Sequence, residues 1–154
     1  MYKKGFTLIE ILVAVSIFMI LATSTFSFGI HDLWHATFAD TRTQLLDALH
    51  KARSQTMNAV CGTINCTAGT SHGVHFNTDS YTLFSGNTYN PTDIYNETVS
   101  LDPNTHLTGM NEVIFTAPSG DATTTPYDVW TITISDNAGH TATTTISDTG
   151  QIYQ

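Results

Sequence analysis

A single carboxylate interrupts the longest apolar stretch of this 154-residue sequence. Residues 6–30 contain one acidic side chain, Glu10, and no Lys, Arg or His that could pair with it inside the same stretch. A charge in a hydrocarbon environment costs on the order of 3 kcal/mol on insertion scales, so such residues usually have a partner and a function. Glu10 is therefore expected to pair with a group from outside its own segment.

The apolar stretch is long enough to cross a bilayer, which takes about 20 residues in helical conformation. Lys3 and Lys4 precede it, and Asp32 follows it. The positive-inside tendency then places the N-terminus in the cytoplasm and the rest of the chain outside. A secretory signal peptide is the alternative, since it also has a basic start and an apolar run. The length of the run and the presence of Glu10 favour a membrane-spanning helix.

The start of the chain, which reads KKGFTLIE over residues 3–10, resembles the prepilin leader junction of type IV pilins and pseudopilins. In that family a basic leader ends in Gly, and the mature chain begins with Phe and carries Glu as its fifth residue. The resemblance implies that prepilin peptidase cleaves between Gly5 and Phe6 and that the new amine of Phe6 is methylated. It also implies that the helix assembles with other pilins at an inner-membrane platform, with Glu10 pairing with the Phe6 amine of a neighbour.

Helical spacing of apolar residues continues beyond the apolar stretch, and the first proline is Pro91. We therefore predict one long helix over about residues 6–59, with its first half in the membrane or in a filament core. Its second half, within residues 31–60, is expected to be amphipathic and to pack on a sheet. The residues that carry this spacing are Leu33, Trp34, Phe38, Leu45, Leu49, Ala52 and Val60.

Residues 61–154 predict a β-rich domain. Two short β segments, 73–76 and 81–84, flank the turn-forming residues 77–80 and indicate a hairpin. Further strands are predicted at 112–115 and at 130–135, the latter followed by a turn and two strands that form a meander. Residues 86–111 are rich in Asn, Thr, Asp and Pro, which indicates a surface loop with a short strand around 98–101. The fold class is thus α+β, with a long helix before an antiparallel sheet.

The order of elements resembles the FimT/GspH group of minor pseudopilins, on the loose motifs ARSQ at 52–55 and ISDTGQI at 146–152. The resemblance implies a type IV pilin-like fold and an H-type subunit of a type IV pilus or type II secretion filament. It divides the chain into a cleaved leader (1–5), a transmembrane and assembly helix (6–30), the amphipathic half of the helix and an extracytoplasmic domain (61–154). A major pilin and a tip adhesin remain alternatives.

Cys61 and Cys66 are the two cysteines of the chain and enclose four residues. If the segment lies outside the cytoplasm, a disulfide that closes a tight loop after the helix is expected. Such a small ring adds only modest stability through loop entropy. A free thiol pair is the alternative in a compartment without oxidising machinery.

His31 and His35 lie four residues apart in HDLWH, which resembles the zincin signature with Asp in place of Glu. A catalytic zinc would need a third ligand and a pocket, which a helix near the membrane boundary does not offer. We therefore expect no metal site here. Trp34 is instead expected at headgroup level.

The remaining histidines and acidic turns predict no catalytic group. His72 and His75 should point to opposite faces of a strand, because side chains alternate along it. His106 and His140 are expected in a loop or turn. The turn carboxylates lack the dense Asp-x-Asp spacing of a calcium loop and are expected to be solvated, with calcium binding as the alternative. They are Asp79, Asp121, Asp136 and Asp148.

The basic residues all lie within the first 53 positions, and residues 54–154 carry nine acidic residues without one Lys or Arg. Nucleic-acid binding draws most of its affinity from cations, so DNA and RNA are unlikely partners. The net charge is −8, and 28 threonines supply much of the uncharged polarity. No nucleotide-binding motif occurs, and we expect neither a cofactor nor enzymatic activity.

Overall fold

The computed structural model describes residues 7–60, 70–127 and 129–154, and of residues 22–36 it describes the backbone alone. The chain divides into two compact units, Met1–Thr37 and Phe38–Gln154. Within the described residues one helix precedes nine strands. They are α1 (Leu8–Met57), β1 (His72–Phe76), β2 (Ser80–Ser85), β3 (Glu97–Ser100), β4 (Thr105–Gly109), β5 (Glu112–Thr116), β6 (Asp121–Thr125), β7 (Thr131–Asp136), β8 (Thr141–Ile146) and β9 (Ile152–Tyr153).

The helix α1 ends two residues earlier than the sequence predicts, and hydrogen bonds explain where. The N–H of Val60 donates to the carbonyl of Gln55 at 2.9 Å, and the N–H of Ala59 donates to the carbonyl of Thr56 at 3.2 Å. This pair of bonds is a Schellman motif, whose penultimate residue adopts a left-handed conformation. Ala59 does so with φ 50°. Val60 therefore lies beyond the helix and is exposed, contrary to its predicted place on the packed face.

The second unit is held together by the face of α1 that carries Leu45, Ala48, Leu49 and Ala52. Three of these side chains are 0% exposed and Ala48 is 7% exposed. Their spacing of three and four places them on one stripe of the helix. They join one core cluster with residues from the strands, and Phe38 packs against its edge. Over this segment the helix therefore presents one apolar stripe to the core.

The strands form two antiparallel sheets, where the sequence predicted one. The first sheet has the order β3-β2-β1-β5-β6 and contains the predicted hairpin of β1 and β2. Its turn is closed by the N–H of Asn77, which donates to the carbonyl of Ser80 at 2.8 Å. The inner side chains Val74 and Val113 are 0% exposed and face α1 through the shared core.

The second sheet has the order β4-β7-β8-β9, and its last three strands form the predicted meander. Ile132 and Ile134 alternate into the core and are each 1% exposed. β4 lies within the segment that we predicted to be a loop, so that prediction is wrong for Thr105–Gly109. β6 was not predicted either, since its sequence DATTT offers no large apolar residue.

Thr56 connects the end of α1 to the first sheet. Its hydroxyl accepts a hydrogen bond from the N–H of His72 at 3.0 Å. The same hydroxyl donates its single proton toward two carbonyl groups, that of Ala52 at 3.0 Å and that of Phe115 at 3.3 Å. Because the side chain is 0% exposed, water does not replace these bonds. Thr56 thereby fixes the helix end against β1 and β5.

Candidate functional site

Glu10 lies in the first turn of α1, on the helix that the sequence singles out for assembly. Its N–H donates to the carbonyl of Thr7 at 3.1 Å, and its side chain is exposed. The free N–H groups of a helix N-terminus favour a nearby carboxylate. The geometry therefore leaves the Glu10 carboxylate accessible to a group from another molecule.

Apolar side chains surround Glu10 on every side of the helix. The large hydrophobic residues from Leu8 to Leu21 are 49–83% exposed. A helix that is apolar all round is normally buried in a core, in a membrane or among other helices. Within the described residues, no helix is both long and apolar enough to meet the measure of a membrane-spanning segment. The membrane-spanning role of residues 6–30 stays a prediction.

Several predicted site residues lie outside the described residues. These are the leader and cleavage residues Lys3, Lys4, Gly5 and Phe6 and the cysteines Cys61 and Cys66. For His31 and His35 the structure describes a helical backbone and no side chains. The processing site, the disulfide and the expected absence of a zinc site at these positions stay predictions.

The two histidines of β1 lie on opposite faces of the first sheet, as the alternation predicts. His72 is buried beside Thr56, and this burial lowers its pKa, against the effect of a hydrogen bond with the backbone of Thr70. His75 stacks on Tyr89, with ring centroids 4.0 Å apart and planes 10° from parallel. Its Nδ1 lies 3.4 Å from Oε2 of Glu112. The two rings therefore have separate surroundings and form no ligand pair.

Asp136 and His140 form a pair that the sequence analysis missed. The prediction of a solvated Asp136 is wrong, because its side chain is 6% exposed and its Oδ2 lies 2.6 Å from Nδ1 of His140. Its Oδ1 accepts bonds from the N–H groups of Ala138 at 3.0 Å and His140 at 2.8 Å. Burial raises the pKa of Asp136, but these hydrogen bonds and the charge of His140 outweigh it and lower the pKa below its usual value.

The spacing D-N-A-G-H could have revealed this pair, since a turn of that length brings residues 136 and 140 together. His106 also differs from its prediction, because it lies in β4 and not in a loop. The other carboxylates predicted to lie in turns are exposed, as predicted, although Asp121 begins strand β6: Asp79, Asp121 and Asp148.

A cleft of about 760 Å³ in the second unit lies where the β1–β2 turn meets β4. His75, His106 and Asp79 are among its lining residues. The N–H of Leu107 donates to the carbonyl of Thr78 at 2.8 Å and joins the two sheets at this point. Among the side chains that the structure describes (residues 7–21, 37–60, 70–127 and 129–154), those of His, Cys, Asp and Glu form no group of three that could hold a metal ion.

Residues 1–26 match the family model of the prokaryotic N-terminal methylation motif. Comparison with curated proteins and with solved structures gave no match. The matched residues contain the predicted cleavage junction, Glu10 and most of the apolar stretch. The motif supports a type IV pilin-like protein that prepilin peptidase processes and that assembles with other pilins. It does not extend to residues 52–55 and 146–152, whose motifs carry the resemblance to the FimT/GspH group.

Proposed function

We propose that this chain is a structural subunit of H-type, a minor pilin or pseudopilin, in a type IV pilus or a type II secretion filament. The observation that carries the proposal is the N-terminal methylation motif over residues 1–26. It coincides with a helix whose large apolar side chains are 49–83% exposed between Leu8 and Leu21. An apolar helix with this exposure suits a bundle formed with the helices of other subunits.

In this proposal, prepilin peptidase cleaves between Gly5 and Phe6, and the new N-terminal amine is methylated. Residues 6–30 hold the chain in the cytoplasmic membrane until an assembly platform draws it into a filament. The unit from Phe38 onward then lies outside the cytoplasm. Residues 54–154 of this unit contain no Lys or Arg, so its strands lack the cations that nucleic acid would need.

Glu10 sets the register between subunits in this proposal. Its carboxylate is exposed in the first turn of α1, and residues 6–30 contain no basic partner for it. In the low dielectric of a helix bundle an unpaired carboxylate is costly, and pairing with the Phe6 amine of a neighbour removes that cost. The role is structural, and no catalytic reaction or cofactor is assigned to the chain.

Mass spectrometry of sheared surface filaments tests the proposal. A methylated peptide that begins at Phe6, present at low copy number, is the expected result. The same peptide as the dominant species would instead identify the main filament subunit. A chain that keeps Met1, or that begins well after Ile30, would contradict the processing step. The N-terminal segment would then be an ordinary membrane anchor or a signal peptide.

A pair of variants separates the role of Glu10 from the stability of its helix. Glu10→Ala is expected to be cleaved normally and to remain in the membrane fraction, because the register contact is missing. Ser16→Ala is the control, since the Ser16 hydroxyl donates to the carbonyl of Leu12 in its own helix at 2.8 Å. Equal incorporation of both variants into filaments would exclude the proposed pairing.

A further inference from the structure

The outer edge of β3 carries unpaired backbone groups. β3 is the edge strand of the first sheet and pairs with β2 alone. The N–H of Leu101 donates to the carbonyl of Asp79 at 2.9 Å. In an antiparallel ladder every second residue forms hydrogen bonds with the neighbouring strand, so this bond shows which residues of β3 face β2. Val99 therefore directs its peptide groups toward β2, while Thr98 and Ser100 direct theirs outward. Among the described residues, these outward N–H and C=O groups have no hydrogen-bond partner.

A groove of about 270 Å³ runs beside this edge, between α1 and the first sheet. Cross-strand partners share one face of a sheet, so Val99 and its partner Tyr81 lie on the groove side, as do Glu97 and its partner Leu83. A strand added along β3 would therefore direct alternate side chains over the groove. The groove is lined by Gln44, Asp47, Ala48, Lys51, Tyr81, Leu83, Glu97 and Val99.

The rim of the groove is acidic. Asp47 and Glu97 contribute carboxylates, and the one ammonium, from Lys51, lies 2.5 Å from Oε2 of Glu97. These two side chains are 46% and 61% exposed, so their ion pair is weak and a competing cation can exchange into it. Burial raises the pKa of Tyr81, and the charges of Asp47 and then Asp40 raise it further. The field of the Asp47 carboxylate thus reaches Tyr81 at the floor of the groove.

We infer that the edge of β3 and the adjoining groove bind an extended, cationic peptide segment of another protein, which adds to the first sheet as a sixth strand. Its backbone pairs with the outward groups of Thr98 and Ser100. One aliphatic side chain enters the groove over Ala48, and a flanking Lys or Arg meets the carboxylates of Asp47 and Glu97. This binding mode combines main-chain affinity with side-chain selectivity.

The charge distribution argues against a second copy of the chain as the occupant. Residues 54–154 contain nine acidic residues and no Lys or Arg, so no strand of another copy would bring a Lys or Arg to the acidic rim, and the edge strands β3 and β6 would bring Glu97 and Asp121. Like charges placed across an interface are repulsive and suppress the wrong partner. A purely protective function of Glu97, which would keep the edge unpaired, predicts no peptide binding at all.

The test uses the full chain in non-ionic detergent micelles and a fluorescent, end-blocked peptide of alternating Lys and Val, with empty micelles as background. Saturable binding by fluorescence anisotropy is expected. Two control peptides keep the length. One replaces Lys with Glu, and the other carries N-methyl groups on alternate residues along the edge that would face β3. Each is expected to bind at least about tenfold more weakly, because it loses either the charge match or the main-chain bonds.

Matched variants locate the site. Ser100→Pro removes the outward N–H of an edge position, where proline is tolerated, whereas Ser100→Ala keeps it. Asp47→Lys and Asp121→Lys change the net charge equally, but Asp121 lies in β6 at the opposite edge of the first sheet. Ser100→Pro and Asp47→Lys are each expected to weaken binding at least about tenfold, and their controls less than about twofold.

Three results would overturn the inference: equal binding of the N-methylated and plain Lys–Val peptides, equal affinities of Ser100→Pro and Ser100→Ala, and a dimer of the full chain that Ser100→Pro disrupts. The last would assign the edge to a second copy. If Ser100→Pro does not fold, the N-methylated peptide decides the question on the unaltered protein.

Discussion

The N-terminal segment of α1 and its later segment differ in what covers their apolar side chains. Between Leu8 and Leu21 the large hydrophobic residues are 49–83% exposed, whereas Leu45, Leu49 and Ala52 are 0% exposed. The later segment owes its stability to tertiary packing in the second unit, as most helices in globular proteins do. The earlier segment has no comparable cover among the described residues of its own unit. The contrast supports the proposal that the apolar side chains of the earlier segment pack against helices of other subunits.

The largest expected difference between the two segments is in the stability lost when a leucine of each is replaced by alanine. Leu49→Ala is expected to lower the free energy of unfolding of the second unit by about 2–5 kcal/mol, since it leaves a cavity in the core. Leu12→Ala deletes the same atoms from a side chain that is 60% exposed, and we expect no change. Urea denaturation in detergent micelles, followed by near-UV circular dichroism, measures both. Equal losses would mean that the two segments share one packed core.

A pair of threonines compares a buried and an exposed hydroxyl on the same helix. Thr56→Val removes the acceptor of the N–H of His72 and leaves that group unsatisfied, which we expect to cost about 1–3 kcal/mol. Thr43→Val removes only a bond that an exposed hydroxyl donates to the carbonyl of Ala39 at 2.9 Å, as Thr56 donates to that of Ala52, and it leaves no N–H unsatisfied. Its cost is expected within about 0.5 kcal/mol. Similar unfolding midpoints for the two variants would show that Thr56 does not fix the helix end.

The C-terminal end of α1 offers a change of opposite sign. Ala59→Gly relieves the left-handed conformation at φ 50° and should stabilise the second unit by about 1 kcal/mol. Ala39→Gly introduces glycine into the helix interior and should destabilise it by about 1 kcal/mol. Differential scanning calorimetry separates the two outcomes. A loss of stability in Ala59→Gly would argue against the Schellman end of the helix.

The smallest expected effect is a pH dependence from Asp136. Its pKa is lowered in the folded chain, so its contribution to stability is present above the unfolded pKa of about 3.9 and is lost as the pH falls toward the folded pKa. The stability of the unaltered protein should therefore fall more steeply than that of Asp136→Asn below about pH 4. Urea titrations across this range measure the slope. The control Asp148→Asn, in an exposed turn, should keep the steep slope.

Periodicity in the sequence predicted the elements that carry large apolar side chains on their buried face. The helix stripe of Leu45 and Leu49, the hairpin of β1 and β2, and the alternation of Ile132 and Ile134 all carry large apolar residues at the period of their element. β4 and β6 could not be predicted in this way. β4 has one large aliphatic residue, Leu107, and β6 turns only Ala122 and Thr124 inward, so pairing with neighbouring strands makes them strands.

The candidate sites show the same division. Glu10 was identified from sequence because a charged residue within an apolar run can be recognised without knowledge of the fold. The edge of β3 and its groove could not be predicted, because they depend on which strand ends the sheet and on where α1 lies against it. The burial of Asp136 likewise depends on a turn that returns His140 to it.

The interleaving of the two sheets has a consequence for how the chain is made. β4 pairs with β7, and β5 and β6, which lie between them in sequence, belong to the other sheet. No single cut of the polypeptide therefore separates one complete sheet from the other. During synthesis, which proceeds from the N-terminus to the C-terminus, β4 cannot pair with β7 until Thr131–Asp136 has also been made. Such non-local pairing delays folding, so the core of the domain can form completely only after nearly the whole domain has been synthesised.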